Sequence, residues 1–250
     1  MAIGVRAALL ILDNFEHLLA AAPLVADLLT RCPRLAVLAT SRERLHLRGE
    51  HELVVPPLEV PAAAPGPVEP AAGLSGVAAV RLFVERAAAV RGAFALTAEN
   101  AAAVAEICRC LDGLPLAIEL AAGWAKIFSP AALLGRLEPS LPLLVGGARD
   151  LPDRQRTMRD AIAWSHDLLD PSERAFFRRL ALFAGGFTLE AAAAVTSRGD
   201  EQPGWPEAIG RPPGSSSSAL DLLASLVDKS LVRSLPTEAA GDVRFGMLET

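Results

Sequence analysis

Tyrosine is missing from this 250-residue sequence, aromatic residues make up 5%, and only two of the 24 basic residues are lysines, Lys126 and Lys229. A core with so few rings must close on aliphatic side chains and alanine, a composition that favours close-packed helices. No apolar run reaches the roughly 18 residues a membrane span needs. Met1–Arg6 lacks a basic leader and a small-residue cleavage site, and Asp13 and Glu16 interrupt the apolar run behind it. Neither a signal sequence nor a membrane span is expected, and we expect a cytoplasmic protein. Three cysteines make no disulfide framework: Cys32 stands alone, and Cys108 and Cys110 lie two apart on an expected helix, facing different ways. With a net charge of −5 and a pI near 5.5, nothing attracts the whole chain to nucleic acid or anionic membranes. Any DNA contact needs a local basic patch.

What is present is apolar: 52% of residues, with a mean hydropathy of +0.34, enough for a substantial core. The first sixty residues read as β-α-β. Ala7–Leu12 is a continuous apolar run ending at Asp13, as in a buried parallel strand. Phe15–Leu29 repeats apolar residues at helical spacing, and Leu35–Ala39 is a second short strand ending at Thr40-Ser41-Arg42. Leu53-Val54-Val55 is a third candidate, closed by Pro56-Pro57. Pro61–Gly76 reads as a linker or flexible loop. Beyond it the pattern is helical: Val77–Val90 with Val80, Phe83, Val84 and Ala87 on one face, then Ala98–Leu111 capped by Thr97 with Asn100 at the third helical position. Asp112-Gly113-Leu114-Pro115 is a sharp turn into Leu116–Lys126, and Ser129-Pro130 opens another helix. A further unit starts near Leu151, with helices Thr157–Leu169, Ser172–Phe183, Leu189–Val195 and Ala219–Val227. A polar, proline- and serine-rich insertion, 197–218, is expected to be disordered. Ser230–Ser234 and Val243–Met247 are spaced to pair as a hairpin, and three helices followed by a hairpin outline a winged helix.

Ligands of doubly wound sheets sit at the carboxyl ends of the strands, where Asp13-Asn14 and Thr40-Ser41-Arg42 both lie. An aspartate fixed by a rigid apolar strand can hold Mg²⁺, directly or through water, against nucleotide phosphates. Asn14 can orient a water or a loop. An arginine beside it offers a bidentate grip on a phosphate. Read separately, Asp13 is as well placed to form a turn, Arg42 to be solvated at a helix start, and Gly113-Leu114-Pro115 to join two helices.

In order and spacing, Leu9-Leu10-Ile11-Leu12-Asp13-Asn14-Phe15-Glu16-His17, Leu38-Ala39-Thr40-Ser41-Arg42-Glu43 and Leu111-Asp112-Gly113-Leu114-Pro115-Leu116-Ala117 resemble the NB-ARC branch of the STAND signalling ATPases. They are closest to the bacterial group fused to SARP- or LuxR-type transcriptional regulators. Ala161–Ser165, Phe177–Phe183, Gly186–Glu190 and Leu223–Val232 are also typical of that group, so the resemblance covers nearly the whole chain. It implies an α/β fold, a partial doubly wound P-loop NTPase sheet, followed by an all-α helical domain and a winged-helix domain. The expected boundaries are 1–60 with the Walker B and sensor strands, 77–145 with the GLPLA turn, and 151–250. It also implies a nucleotide switch binding ATP or ADP with Mg²⁺. Asp13 would serve Mg²⁺ through water and, with Asn14, catalysis. Arg42 would sense the γ-phosphate, Thr40 and Ser41 would join it in binding the nucleotide, and Gly113, Leu114 and Pro115 would pack beside the base.

Two departures bear on that expectation. The family's Gly-x-x-x-x-Gly-Lys-[Ser/Thr] loop should precede the Asp13 strand by several tens of residues, yet twelve residues stand before Asp13 and none is lysine. Many members carry Met-His-Asp near the end of the winged helix, with its histidine on the β-phosphate of ADP; here Met247-Leu248-Glu249 replaces it. We therefore expect a fragment, or a gene model begun at an internal start, deficient in hydrolysis by itself. Its expected partners are a P-loop segment and C-terminal sensor repeats of a longer protein, or another copy of the chain, with no membrane and no direct DNA contact. The alternatives are a winged-helix DNA-binding regulator and a nucleotide-free interaction scaffold. His17, His46, His51 and His166 show no metal spacing, and no serine lies in a Gly-x-Ser-x-Gly elbow. The Arg154–Arg159 and Arg174–Arg179 groups read as solvated helix faces, with a local DNA patch as the alternative.

Overall fold

The computed structural model describes residues 6–62, 71–137, 142–147, 150, 152–197, 218–235 and 243–247. They divide into two units, one formed by Met1–Val54 with Pro171–Met247, the other built around Val55–Asp170. The insertion expected at 197–218 and the Leu248-Glu249 positions lie outside the described residues, Ser197 and Ser218 apart.

In the first unit, strands β1 (Ala8–Leu12) and β2 (Leu35–Ala39) pair in parallel from Ala8↔Leu35 to Leu12↔Ala39. The single helix expected over Phe15–Leu29 is two pieces. A 3-10 segment, Phe15–Ala21, breaks at Leu18 (φ −123°), and helix α1 (Ala22–Arg31) begins with Pro23 in its first turn. Proline is tolerated there because that N–H has no helical acceptor in any case. Phe15, Ala22 and Val25 are buried, and Leu12, Val37 and Ala39 pack against them, so the crossover covers one face of the strand pair.

Leu53, Val54 and Val55 form no strand; they are extended and 85%, 73% and 84% exposed. A strand is stabilised by its ladder, and no described strand lies beside this segment. Nor is Pro61–Gly76 wholly a loop, because α2 (Ala71–Leu74) ends on a buried Leu74.

The second unit is helical. Its elements are α2, α3 (Ala78–Val90), α4 (Ala101–Cys110), α5 (Pro115–Ala122), α6 (Pro130–Leu134) and α7 (Met158–Asp167). Ala79, Val80, Phe83 and Ala87 form the buried stripe of α3, while Val84 is only half-buried. Helix α4 starts one turn later than expected: Asn100 Oδ1 accepts from the Thr97 N–H at 2.9 Å, the returning half of a capping box. The Ser129 hydroxyl caps α6 by accepting from the Ala132 N–H. Helix α7, expected with residues 151–250, is joined to this core, where Met158 donates its N–H to Leu144 O. Cys108 is fully buried, and burial pushes its thiol up to about 12, with Arg109 pulling the other way. It stays protonated at neutral pH. The unfolded thiol ionises first, so this group favours folding below about pH 9 and loses that contribution as pH rises towards 12. Cys110 is exposed, and no cysteine is in a disulfide.

The remainder of the first unit holds α8 (Pro171–Leu180), β3 (Phe187–Thr188), α9 (Leu189–Ser197), α10 (Ala219–Asp228), β4 (Arg233–Leu235) and β5 (Arg244–Gly246). Strands β4 and β5 pair as the spacing suggests, and β3 adds on the far side of β5, giving the antiparallel order β3-β5-β4. Gly186 (φ +103°) lets the chain enter β3, since a Cβ there would meet Phe245 O at 2.9 Å. The Glu173 carboxylate is buried in α8. It accepts from Lys229 Nζ at 2.6 and 2.7 Å and from the Ser225 hydroxyl, tying α8 to α10. Lys229→Met would strand that carboxylate, and urea unfolding should show a loss of about 3–5 kcal/mol. Replacing Glu173 as well, by leucine, should recover most of it; an unchanged midpoint in Lys229→Met alone would remove the pair from the account.

Candidate functional site

The ends of β1 and β2 are joined through Thr40, the residue after β2. Thr40 donates its N–H to Leu12 O at 2.9 Å, and Phe15 donates its own to Thr40 O at 2.8 Å. Both bonds fix the Thr40 side chain against the Asp13-Asn14 corner. There the Thr40 hydroxyl accepts from the Asn14 N–H at 3.0 Å and donates to Asp13 Oδ1. Asn14 turns that corner in the left-handed region (φ 55°, ψ 47°), a conformation asparagine tolerates better than most residues. The second carboxylate oxygen, Asp13 Oδ2, has the Asn14 amide at 3.5 Å, and Asp13 is exposed. One oxygen of an exposed carboxylate is thus held by a hydroxyl and the other is nearly unclaimed.

Ser41 and Arg42 follow directly but are engaged differently. The Ser41 hydroxyl donates to Glu43 O at 2.6 Å and accepts from the Glu43 N–H at 3.2 Å, a local turn that occupies it. Arg42 is half-buried, and its carbonyl accepts from the Ser230 hydroxyl at 3.4 Å. Beyond it, the Glu50 carboxylate accepts from the N–H groups of Leu45 and Leu47 at 2.9 and 3.1 Å and fixes the following loop. That brace escaped the sequence reading, since a glutamate in a polar loop carries no periodic signal. Among the described residues no group of three or more His, Cys, Asp and Glu side chains could form a metal cage. Asp13 offers one carboxylate at this corner, so a hard cation there would have a single acidic side chain as ligand.

Gly113, Leu114 and Pro115 lie in the second unit, and their visible work is structural. Gly113 (φ +67°) donates to Cys108 O, and its own carbonyl accepts from Leu58; a Cβ would clash with Leu58 O and stand 3.1 Å from Val60 Cγ1. Leu114 precedes α5, Pro115 is its first residue and is exposed, and the helix buries Ala117, Ile118, Leu120, Ala121 and Ala122. A cavity of about 620 Å³ opens in this unit beside Arg86, Leu116, Glu119, Trp124 and Lys126, and none of these three residues lines it.

No protein-family model matches the chain. Relatives do. The chain is 43% identical over 249 residues to proteins of Mycobacterium tuberculosis and Mycobacterium bovis named "Putative HTH-type transcriptional regulator", a match covering 99% of this chain and 25% of each relative. It is 41% identical over 225 residues to an uncharacterized protein of Mycobacterium tuberculosis, covering 90% of this chain and 50% of that one. The chain therefore spans a quarter to a half of the length of these curated relatives. No helix among its described residues is long and apolar enough to cross a membrane.

Gly113→Ala should cost about 2–4 kcal/mol, combining a left-handed backbone with a backbone clash. Thermal unfolding that is unchanged by this substitution would contradict the close approach of Leu58.

Proposed function

We propose that this chain is a segment of an HTH-type transcriptional regulator, and that its own part is to hold an adenine nucleotide and Mg²⁺ rather than to read DNA. The regulator assignment is supported by the 43% identity to proteins of that name. The nucleotide assignment is carried by one observation: the Thr40 hydroxyl clamps Asp13 Oδ1 at the carboxyl end of a parallel strand pair and leaves Oδ2 almost free. Bound Mg²⁺ would supply charge to offset the phosphates. Asp13 positions an oxygen for it, Thr40 fixes the rotamer of Asp13, and Arg42, two residues on from Thr40, would supply the cation for a terminal phosphate. The chain contains no Gly-x-x-x-x-Gly-Lys loop, so we assign the phosphate cradle to another part of the polypeptide. The choice of ATP or ADP would then set the relative stability of two arrangements of the regulator.

Reading DNA through α10 is the second reading, favoured by the relatives' name. Against it, α10 has no basic residue, and Ser218 and Asp221 form a reciprocal capping box over its N-terminal N–H groups. The helix end that would face phosphate thus carries an acid.

Isothermal titration of this chain should give no Mg-ADP or Mg-ATP affinity tighter than about 100 μM. With a Gly-x-x-x-x-Gly-Lys segment joined ahead of residue 1, binding should appear and weaken about tenfold or more in Asp13→Ala. Sub-micromolar binding by the chain alone, an Asp13→Ala variant indistinguishable from wild type, or salt-sensitive DNA binding by the chain would each overturn the reading.

A further inference from the structure

The cavity of about 620 Å³ belongs wholly to the second unit and has no part in the nucleotide reading. Three pieces of chain enclose it: α3, α5 with the 3-10 segment Gly123–Lys126 that follows it, and the loop beyond Leu144. Each is fastened to its neighbours. Arg91 Nη1 donates to Ala125 O at 3.5 Å, joining the end of α3 to the 3-10 segment, and the Trp124 indole donates to Leu143 O at 2.6 Å. The loop is pinned further along, where Met158 donates its N–H to Leu144 O and Gly147 donates its own to Arg156 O, both at 2.9 Å. The walls are thus set by bonds within the chain, as in a largely pre-formed small-molecule site.

Its lining is amphipathic. Leu120 is buried and Leu116 and Trp124 are half-buried, while Val90 and Val145 are 46% and 39% exposed, apolar surface that a bound molecule would take from water. Because the Trp124 N–H is spent on Leu143 O, that residue offers its ring. The charges differ in how far they are engaged. Arg86 donates to Glu119 Oε1 at 3.0 Å, which occupies the acid and leaves the guanidinium further N–H donors. No ion pair engages Lys126 among the described residues, and Asp150 is an exposed acid of the same lining. We propose that this cavity binds a small organic carboxylate with an aromatic or branched apolar body. The body lies against Leu116, Leu120 and Trp124. The carboxylate takes its hydrogen bonds from Lys126 and from the Arg86 N–H groups that Glu119 does not use.

The test titrates this chain, without nucleotide, with 4-phenylbutyrate, 4-phenylbutanol and 4-phenylbutylamine, which share a body and differ in charge. Ligand-detected NMR reads the affinities. The acid should bind with a Kd of about 1 mM or tighter, and about fivefold or more tightly than the alcohol or the amine. Lys126→Gln should remove that preference and leave the affinity for the alcohol unchanged. Gly123→Leu should fill the cavity, since Gly123 is right-handed helical (φ −56°) and a Cβ there would meet nothing within 4 Å. Binding of the acid should then weaken about tenfold or more at an unchanged thermal midpoint. Should that variant unfold early, the preference for the acid and its loss in Lys126→Gln carry the test. No binding of the acid at about 10 mM, equal affinity for acid and amine, or full binding by a folded Gly123→Leu would each overturn the proposal.

Discussion

One hydroxyl, that of Thr40, ties the end of β2 to the corner that follows β1, and the placement of Asp13 and Asn14 depends on it. It accepts from the Asn14 N–H and donates to the Asp13 carboxylate, so the left-handed corner and the acid rotamer are fixed together. The backbone bonds from Thr40 to Leu12 and from Phe15 to Thr40 seat that hydroxyl at the strand ends. A carboxylate left to itself on an exposed turn would sample several rotamers. Here the Thr40 hydroxyl holds one oxygen of the acid and so selects its rotamer.

The second unit is held by a different constraint, the close passage of the Leu58 backbone over Gly113. With so few rings in the sequence, α3, α4 and α5 pack through alanines, Val80, Phe83, Val104, Ile107 and Ile118, and small side chains let helices and the incoming strand-like segment approach closely. The Gly113-Leu114-Pro115 turn is required by that packing whatever it touches besides. Of the three, Gly113 is buried, Leu114 half-buried and Pro115 exposed.

Much of this was readable in residue order. The aliphatic runs of β1 and β2 announced parallel strands, though Leu9, Ile11, Ala36 and Leu38 are exposed where burial is expected. Ser129-Pro130 announced a helix start, and the placement of Asp13 and Thr40 at strand ends followed from where those runs stop. Other features have no local signature. Leu53–Val55 has the composition of a strand, but a ladder is a property of two segments. Strand β3 is two residues long and shows no period. The Glu173–Lys229 pair joins residues 56 apart, and nothing near either one signals the other. Ser41 looked equivalent to Thr40 as a hydroxyl beside the acid, yet its nearest competitor, the Glu43 backbone, takes it first.

The central claim is that the Thr40 hydroxyl sets Asp13 for a metal-bound nucleotide. Nucleotide affinity of the full-length polypeptide, with and without Mg²⁺, should be compared among wild type, Thr40→Val and Thr40→Ser. The account predicts that valine, which keeps the shape and loses the hydroxyl, weakens the Mg²⁺-dependent affinity about tenfold or more, leaves the Mg²⁺-free affinity unchanged, and that serine restores binding. Equal Mg²⁺ dependence in the valine variant and wild type would contradict it.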